Sequence, residues 1–166
     1  MSESTASEER RFKVTFDLPR ERDDWPPFST ERLWAAKTQV KLHLRVLNIP
    51  FYVRGVSYGD IIRVVPDHER REVVFESFVE GSGHSTIRII LMESRAEALV
   101  EQMLMESGCS WEFSDSPNYM AVDIPPSVNY VALRSRLVEM KNDGLVGLQE
   151  AAISSIHQQQ LPPSSA

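Results

Sequence analysis

Apolar and polar residues alternate strictly over residues 12–16, which predicts a strand with Phe12, Val14 and Phe16 facing inward. Residues 20–28 are charged and proline-bearing. Their Trp25-Pro26-Pro27 cannot extend a central strand, because proline gives no ladder donor, so a loop folded back onto the core through Trp25 is expected. Residues 40–46 alternate again and predict a strand with Val40, Leu42, Leu44 and Val46 on one face. Residues 61–65 and 73–79 form two more apolar runs across the polar turn 66–70. Short strands at such close spacing predict a small antiparallel β-barrel or curled sheet over residues 11–84.

The pattern changes after Gly83. Residues 86–91 are a β-branched run, and Ser94-Arg95-Ala96-Glu97 then has the spacing of a capping box. The helix that starts there is expected to bury Ala96, Leu99, Val100 and Met103 and to end at Gly108. Residues 109–113 and 119–124 read as a hairpin across the turn 114–118. A second helix over 129–141 should bury Tyr130, Leu133, Leu137 and Met140 and stop at Asn142-Asp143-Gly144. A short last strand at 145–148 completes a βαββα(β) order, which predicts a ferredoxin-like half over residues 85–155. The fold class is therefore α+β. Residues 1–10 and 156–166 have too little apolar content to order themselves and are expected to be disordered tails.

The net charge of −6 argues against a nonspecific nucleic-acid binder, since phosphate neutralisation needs a dense basic surface. No apolar run approaches the roughly 20 residues that span a bilayer, and the first nine residues are acidic and polar where a signal peptide is basic and then apolar. A cytoplasmic protein without membrane contact is expected. The lone Cys109 cannot form an internal disulfide and reads as a buried structural thiol. Between Lys37 and Arg63, the basic residues Lys37, Lys41, Arg45, Arg54 and Arg63 face the single acid Asp60, so an anionic ligand or an acidic protein face could dock there.

Two glycine-punctuated segments, residues 48–60 and 80–88, hold most of the candidate chemistry. Gly55, Gly59, Gly81 and Gly83 lie just outside strand-like runs, where turning a tight corner is their plainest role. A phosphate cradle would need several glycines running into a helix N-terminus, and neither segment offers that. His84 is the candidate acid or base, with Ser82, Ser85 and Thr86 beside it and Asp60 as the group that would orient it. The four histidines are far apart, and neither a Cys-x-x-Cys nor a His-Glu-x-x-His spacing occurs, so no metal or other cofactor is expected. Trp25, Trp34, Phe51, Tyr52 and Tyr58 could line a pocket or pack as core.

Several of these motifs together resemble the DUF4265 family of small bacterial proteins, a domain of unknown function. They are Trp25-Pro26-Pro27, Leu33-Trp34-Ala35, Asn48-Ile49-Pro50-Phe51, Gly55-Val56-Ser57-Tyr58-Gly59-Asp60, Ser82-Gly83-His84-Ser85-Thr86 and Asp123-Ile124-Pro125-Pro126. The resemblance covers about residues 12–153 and implies a shared fold, and a shared surface around Asp60 and His84. It implies no known reaction or cofactor. From the residues themselves, the expectation is a non-enzymatic binding or regulatory module, of the immunity or accessory type. It would contact a protein partner or a small anionic ligand through Arg54, Tyr58, Ser82, Ser85 and Arg88, and an exposed sheet edge could make it a homodimer. The alternative is a small-molecule enzyme with His84 as general acid or base, Asp60 orienting it, and Arg54 or Arg88 holding an anionic substrate.

Overall fold

The computed structural model describes residues 10–163. Residues 1–9 and 164–166, which hold most of the first expected tail and the end of the second, lie outside the described residues. The fold is α+β with mostly antiparallel sheets.

The first half is a curled sheet of five strands: β1 (Arg11–Asp17), β2 (Thr30–Lys37), β3 (His43–Val46), β4 (Ile61–Asp67) and β5 (Glu72–Glu80). Neighbours in that order pair antiparallel, and the sheet curls until β1 meets β5 in a short parallel pairing at Val14–Val73 and Thr15–Val74. Val14 and Phe16 of the alternating run point into a core shared with Leu33, Ala35, Leu44, Val46, Ile62 and Val64, and Phe16 stacks on Phe75. The alternation over 40–46 extends beyond its strand. Leu42 adopts a left-handed φ of 66°, and Val40 is exposed. Thr38 Oγ1 accepts the Val40 N–H and donates to the His43 carbonyl, so these residues form a turn and pairing begins at His43. Trp25 does fold back, packing edge-on against Tyr52 and Tyr119.

The second half runs β6 (Ser85–Leu91), α1 (Ala96–Ser107), β7 (Ser110–Phe113), β8 (Tyr119–Ile124), α2 (Tyr130–Asn142), β9 (Val146–Ala152) and a six-residue α3 (Ser155–Gln160). Its four strands stand in the order β7-β8-β6-β9, every pair antiparallel. Tyr130, Leu133, Leu137 and Met140 are buried as their spacing predicts, and Asn129 caps α2 by accepting the Ala132 N–H. Fully burying each such side chain contributes about 1.5–3 kcal/mol. The capping box of α1 does not form. Arg95 is the N-cap without a side-chain bond, and the Glu97 N–H reaches the Ser94 backbone carbonyl instead. The buried face of α1 is Ala96, Val100, Met103 and Leu104, with Leu99 exposed on its flank.

Both faces of the β6–β8 pair are covered, which explains why β8 is buried at every position. Ile87, Ile89, Leu91, Met120, Val122 and Ile124 share one face and pack with the helices. The period-two alternation turns Thr86, Arg88, Tyr119 and Asp123 the other way, toward the segment 48–60 of the first half. That segment carries the functional candidates. The expected C-terminal tail differs most from the structure: residues 155–160 are helical, and His157 is wholly buried. No helix among the described residues is long and apolar enough to cross a membrane.

Candidate functional site

The segment following Asn48 has no regular structure of its own, so its backbone groups need side-chain partners. Glu31 of β2 supplies the acceptors. Its carboxylate takes the N–H groups of Phe51, Tyr52 and Val53 at 2.6, 2.9 and 2.8 Å. Arg88 of β6 supplies donors, to the Pro50 carbonyl from Nε and Nη2, to the Val53 carbonyl from Nη2 and to Gln149 Oε1 from Nη1. The Tyr119 hydroxyl donates to the Phe51 carbonyl at 2.6 Å. Arg88 is only 1% exposed, and burial lowers its pKa. It therefore ties the two halves together, and the structure places this expected ligand contact within the framework, bonded to Pro50, Val53 and Gln149. Arg54 is also committed. Its guanidinium forms a forked pair with Glu21 at 2.9 and 2.7 Å, and it lines a separate hollow with Glu21, Pro26 and Tyr52.

Asp60 is buried at the end of the same segment. One carboxylate oxygen accepts the Ser57 N–H at 2.8 Å, and the other accepts the Ser82 N–H at 2.9 Å and the Ser82 hydroxyl at 3.0 Å. Burial raises its pKa, opposed by these donors. The Ser82 oxygen also lies 2.7 Å from the Tyr58 carbonyl and accepts the His84 N–H. Asp60 thus fixes the 81–84 turn but does not hold the His84 ring, contrary to the expected pairing. Two glycines make this packing feasible. Gly59 has φ 84°, and a Cβ there would come within 3.0 Å of Ser82 Cβ. Gly83 has φ 92°, and a Cβ there would meet Ile156 and Pro126 at 3.0 Å.

The carboxylate that does hold His84 belongs to Asp123 of β8. His84 Nδ1 lies 2.9 Å from one of its oxygens and 3.1 Å from the other. The antiparallel register places Asp123 opposite Thr86, two residues from His84. Burial raises the Asp123 pKa, and the bond to His84 opposes the rise. An ionised Asp123 accepts from an Nδ1–H, the tautomer that leaves Nε2 without a proton, and Nε2 has no hydrogen-bond partner among the described residues. The ring stands edge-on to Tyr58, centroids 5.4 Å apart. His84 lines an open cleft of about 620 Å3 between the halves, with Ser57, Asp60, Phe78, Ser82 and Ile156 among its walls.

One wall of the cleft is residues 151–156, leading into α3, and α3 is latched by His157. Nε2 of that ring donates to the Pro125 carbonyl at 3.1 Å, which leaves Nδ1 to accept the Ser85 hydroxyl at 2.6 Å. Ser85 in turn accepts the Ser154 N–H at 2.8 Å. Ser85, expected to contact a ligand, is wholly buried in this latch. Burial lowers the His157 pKa. Of the residues expected at the site, Asp60, Tyr58, Ser82 and His84 do come together, whereas Arg54, Ser85 and Arg88 serve the framework.

What the arrangement can do is limited to one imidazole nitrogen, a polar floor and an apolar rim. Neutral His84 accepts a proton or a hydrogen bond at Nε2, and its protonated form donates there. Among the described residues, no three His, Cys, Asp or Glu side chains gather as a metal site. Cys109 is buried, and its thiol is pushed up to about 12 by burial, so it is inert. The residues that sequence reasoning missed are Asp123, Glu31 and His157. Asp123 carried a signal, as an acid inside the otherwise apolar run 119–124.

Comparison with known proteins agrees with this architecture. The DUF4265 domain of unknown function matches residues 31–148, most of the chain, and the chain belongs to that family. Among solved structures, the fold is similar to that of a hypothetical protein from Neisseria gonorrhoeae, described as a novel crystal structure. The TM-score is 0.68 at 14% identity, over 88% of this chain and 96% of that one. At that identity the likeness extends to the fold alone. No curated protein matches the chain.

Proposed function

With membership of DUF4265 as the premise, we propose that this is a binding or regulatory protein whose working surface is the cleft at His84, where it holds a small ligand or a side chain of a protein partner. One observation carries the reading: His84 lines an open cleft with Nδ1 locked on Asp123, and among the described residues nothing bonds its Nε2. The other candidates, Asp60, Ser85, Arg54 and Arg88, are each engaged in internal bonds. A ring held at one nitrogen and open at the other is a pre-oriented contact. The cytoplasm is the proposed compartment, on the strength of the lone buried Cys109. A ferredoxin-like plan is proposed for the second half, supported by its βαββαβ order and the strand order β7-β8-β6-β9.

The enzyme reading keeps one specific support, the bond between His84 and Asp123, with Asp123 replacing Asp60 as the orienting group. Against it, the Ser82 hydroxyl is committed to Asp60 and the Tyr58 carbonyl, and Ser85 is sealed under α3. The test is to expose purified protein and its His84→Gln variant to a small-molecule extract of the source cells, desalt both, and identify what each retains by mass spectrometry. A metabolite retained unchanged by the parent and lost from the variant supports the binding reading. Conversion of a metabolite by the parent alone supports the enzyme. Retention by both, or by neither, removes His84 from the centre of either reading.

A further inference from the structure

We infer that the His84 cleft receives an organic ammonium, a protonated amine on an apolar body, in preference to an anion; this rests on the reading of the cleft as the binding surface. The charges decide the sign. Among the described residues, no Lys or Arg lines the cleft. The two arginines whose sequence positions pointed to an anion are tied to Glu21 and to backbone carbonyls.

Behind His84 lie two carboxylates. Each oxygen of Asp60 accepts a backbone N–H, from Ser57 and from Ser82, which is the arrangement of an ionised carboxylate. Both oxygens of Asp123 lie within 3.1 Å of the His84 Nδ1. With Nδ1 donating to Asp123, neutral His84 offers a lone pair at Nε2, which an ammonium N–H satisfies and a carboxylate or phosphate oxygen does not. Protonating the ring sets one imidazolium against two carboxylates, so the cleft does not become positive in that state either.

The rim supplies the remaining chemistry. Phe78 (49% exposed) and Ile156 (43%) line the cleft, and Tyr58 (38%) packs on the imidazole from outside that lining. Aromatic faces attract cations through their quadrupole, and this attraction is strongest where the cation is partly desolvated. Large apolar side chains at such exposure around a polar floor suit a ligand with a charged head and an apolar body.

Three probes that share one ring separate the possibilities: benzylamine, benzyl alcohol and benzoate, each titrated at millimolar concentration into 15N-labelled full-length protein. Backbone shifts and the His84 imidazole nitrogens are followed by NMR. The expected result is saturable shifts at Ser82, Gly83, His84 and Ile156 with benzylamine, binding about tenfold more tightly than benzoate, with the alcohol between them. Asp123→Asn should remove the preference for amine over acid. Phe78→Leu, at an exposed position of the cleft lining apart from the buried pair, should weaken benzylamine about threefold. Benzoate binding as tightly as benzylamine overturns the ammonium inference and leaves the cleft as a binding surface. If none of the three probes moves the cleft resonances, both the inference and the reading beneath it fail.

Discussion

Arg88 and His84 stand four residues apart in the chain, and both reach from the start of the β6 region toward the segment 48–60. Their fates are opposite. Every hydrogen bond that Arg88 makes is to the protein's own framework, three to backbone carbonyls and one to Gln149. His84 spends one ring nitrogen on Asp123 and keeps the other. The difference shows that residue type alone does not mark a site. An arginine beside a histidine invites an anion-binding reading, yet the fold uses the arginine to close the join between its halves and leaves the imidazole available.

The largest effect should come from breaking the framework side of this pair. Arg88→Met leaves the Pro50 and Val53 carbonyls buried without donors, and is expected to cost about 3 kcal/mol in chemical denaturation. If the variant unfolds at the same denaturant midpoint as the parent, Arg88 is not the tie. Glu31→Gln attacks the same loop from the other side by replacing one of the two accepting oxygens with an amide donor and removing the charge from the other, for a loss of about 2 kcal/mol.

Next in size is the α3 latch, where both nitrogens of His157 are used. Folding lowers the His157 pKa below its ordinary 6.5. A group lowered in this way stabilises the fold above its ordinary value and loses that contribution as pH falls through and below it. Acidification past 6.5 should therefore destabilise the parent more than His157→Gln in chemical denaturation. The raised pKa values of Asp60 and Asp123 act with the opposite sign, adding stability as the pH drops toward the carboxylate range. The difference between parent and variant isolates the histidine, and parallel pH curves for the two proteins would remove it as the latch.

The smallest structural effect belongs to the open side of the comparison. His84→Gln keeps a donor for Asp123, so its cost to stability should stay below about 1 kcal/mol while retention of a cleft ligand is lost. A large stability loss would make His84 a second framework residue and erase the contrast with Arg88.

Much of the fold was legible in local patterns. The buried face of α2, the hairpin of β7 and β8 and the strands β4 and β5 follow directly from spacing and turn residues. The failures share a cause. Val40 and Leu42 kept the parity of a strand while Thr38 gathered their backbone into a turn. The Ser94 and Glu97 spacing fits a capping box, but the helix begins at Ala96 without that side-chain cap. Residues 155–160 hold a single aliphatic side chain, Ile156, yet they are held by His157 and by Gln160, whose amide bonds Tyr130 and Val128 of distant elements.

The same division applies to the site. The sequence by itself determined which residues could do chemistry, because the glycines at 59 and 83, the acid at 60 and the histidine at 84 are each required by local backbone geometry or singular in their ionisation. Only the tertiary structure decided which of them remain available. Hydrogen bonds are satisfied pairwise in space, so the partners that silence Arg88, in the irregular segment 48–60, and the one that orients His84, in β8, are reached only when the chain folds back on itself.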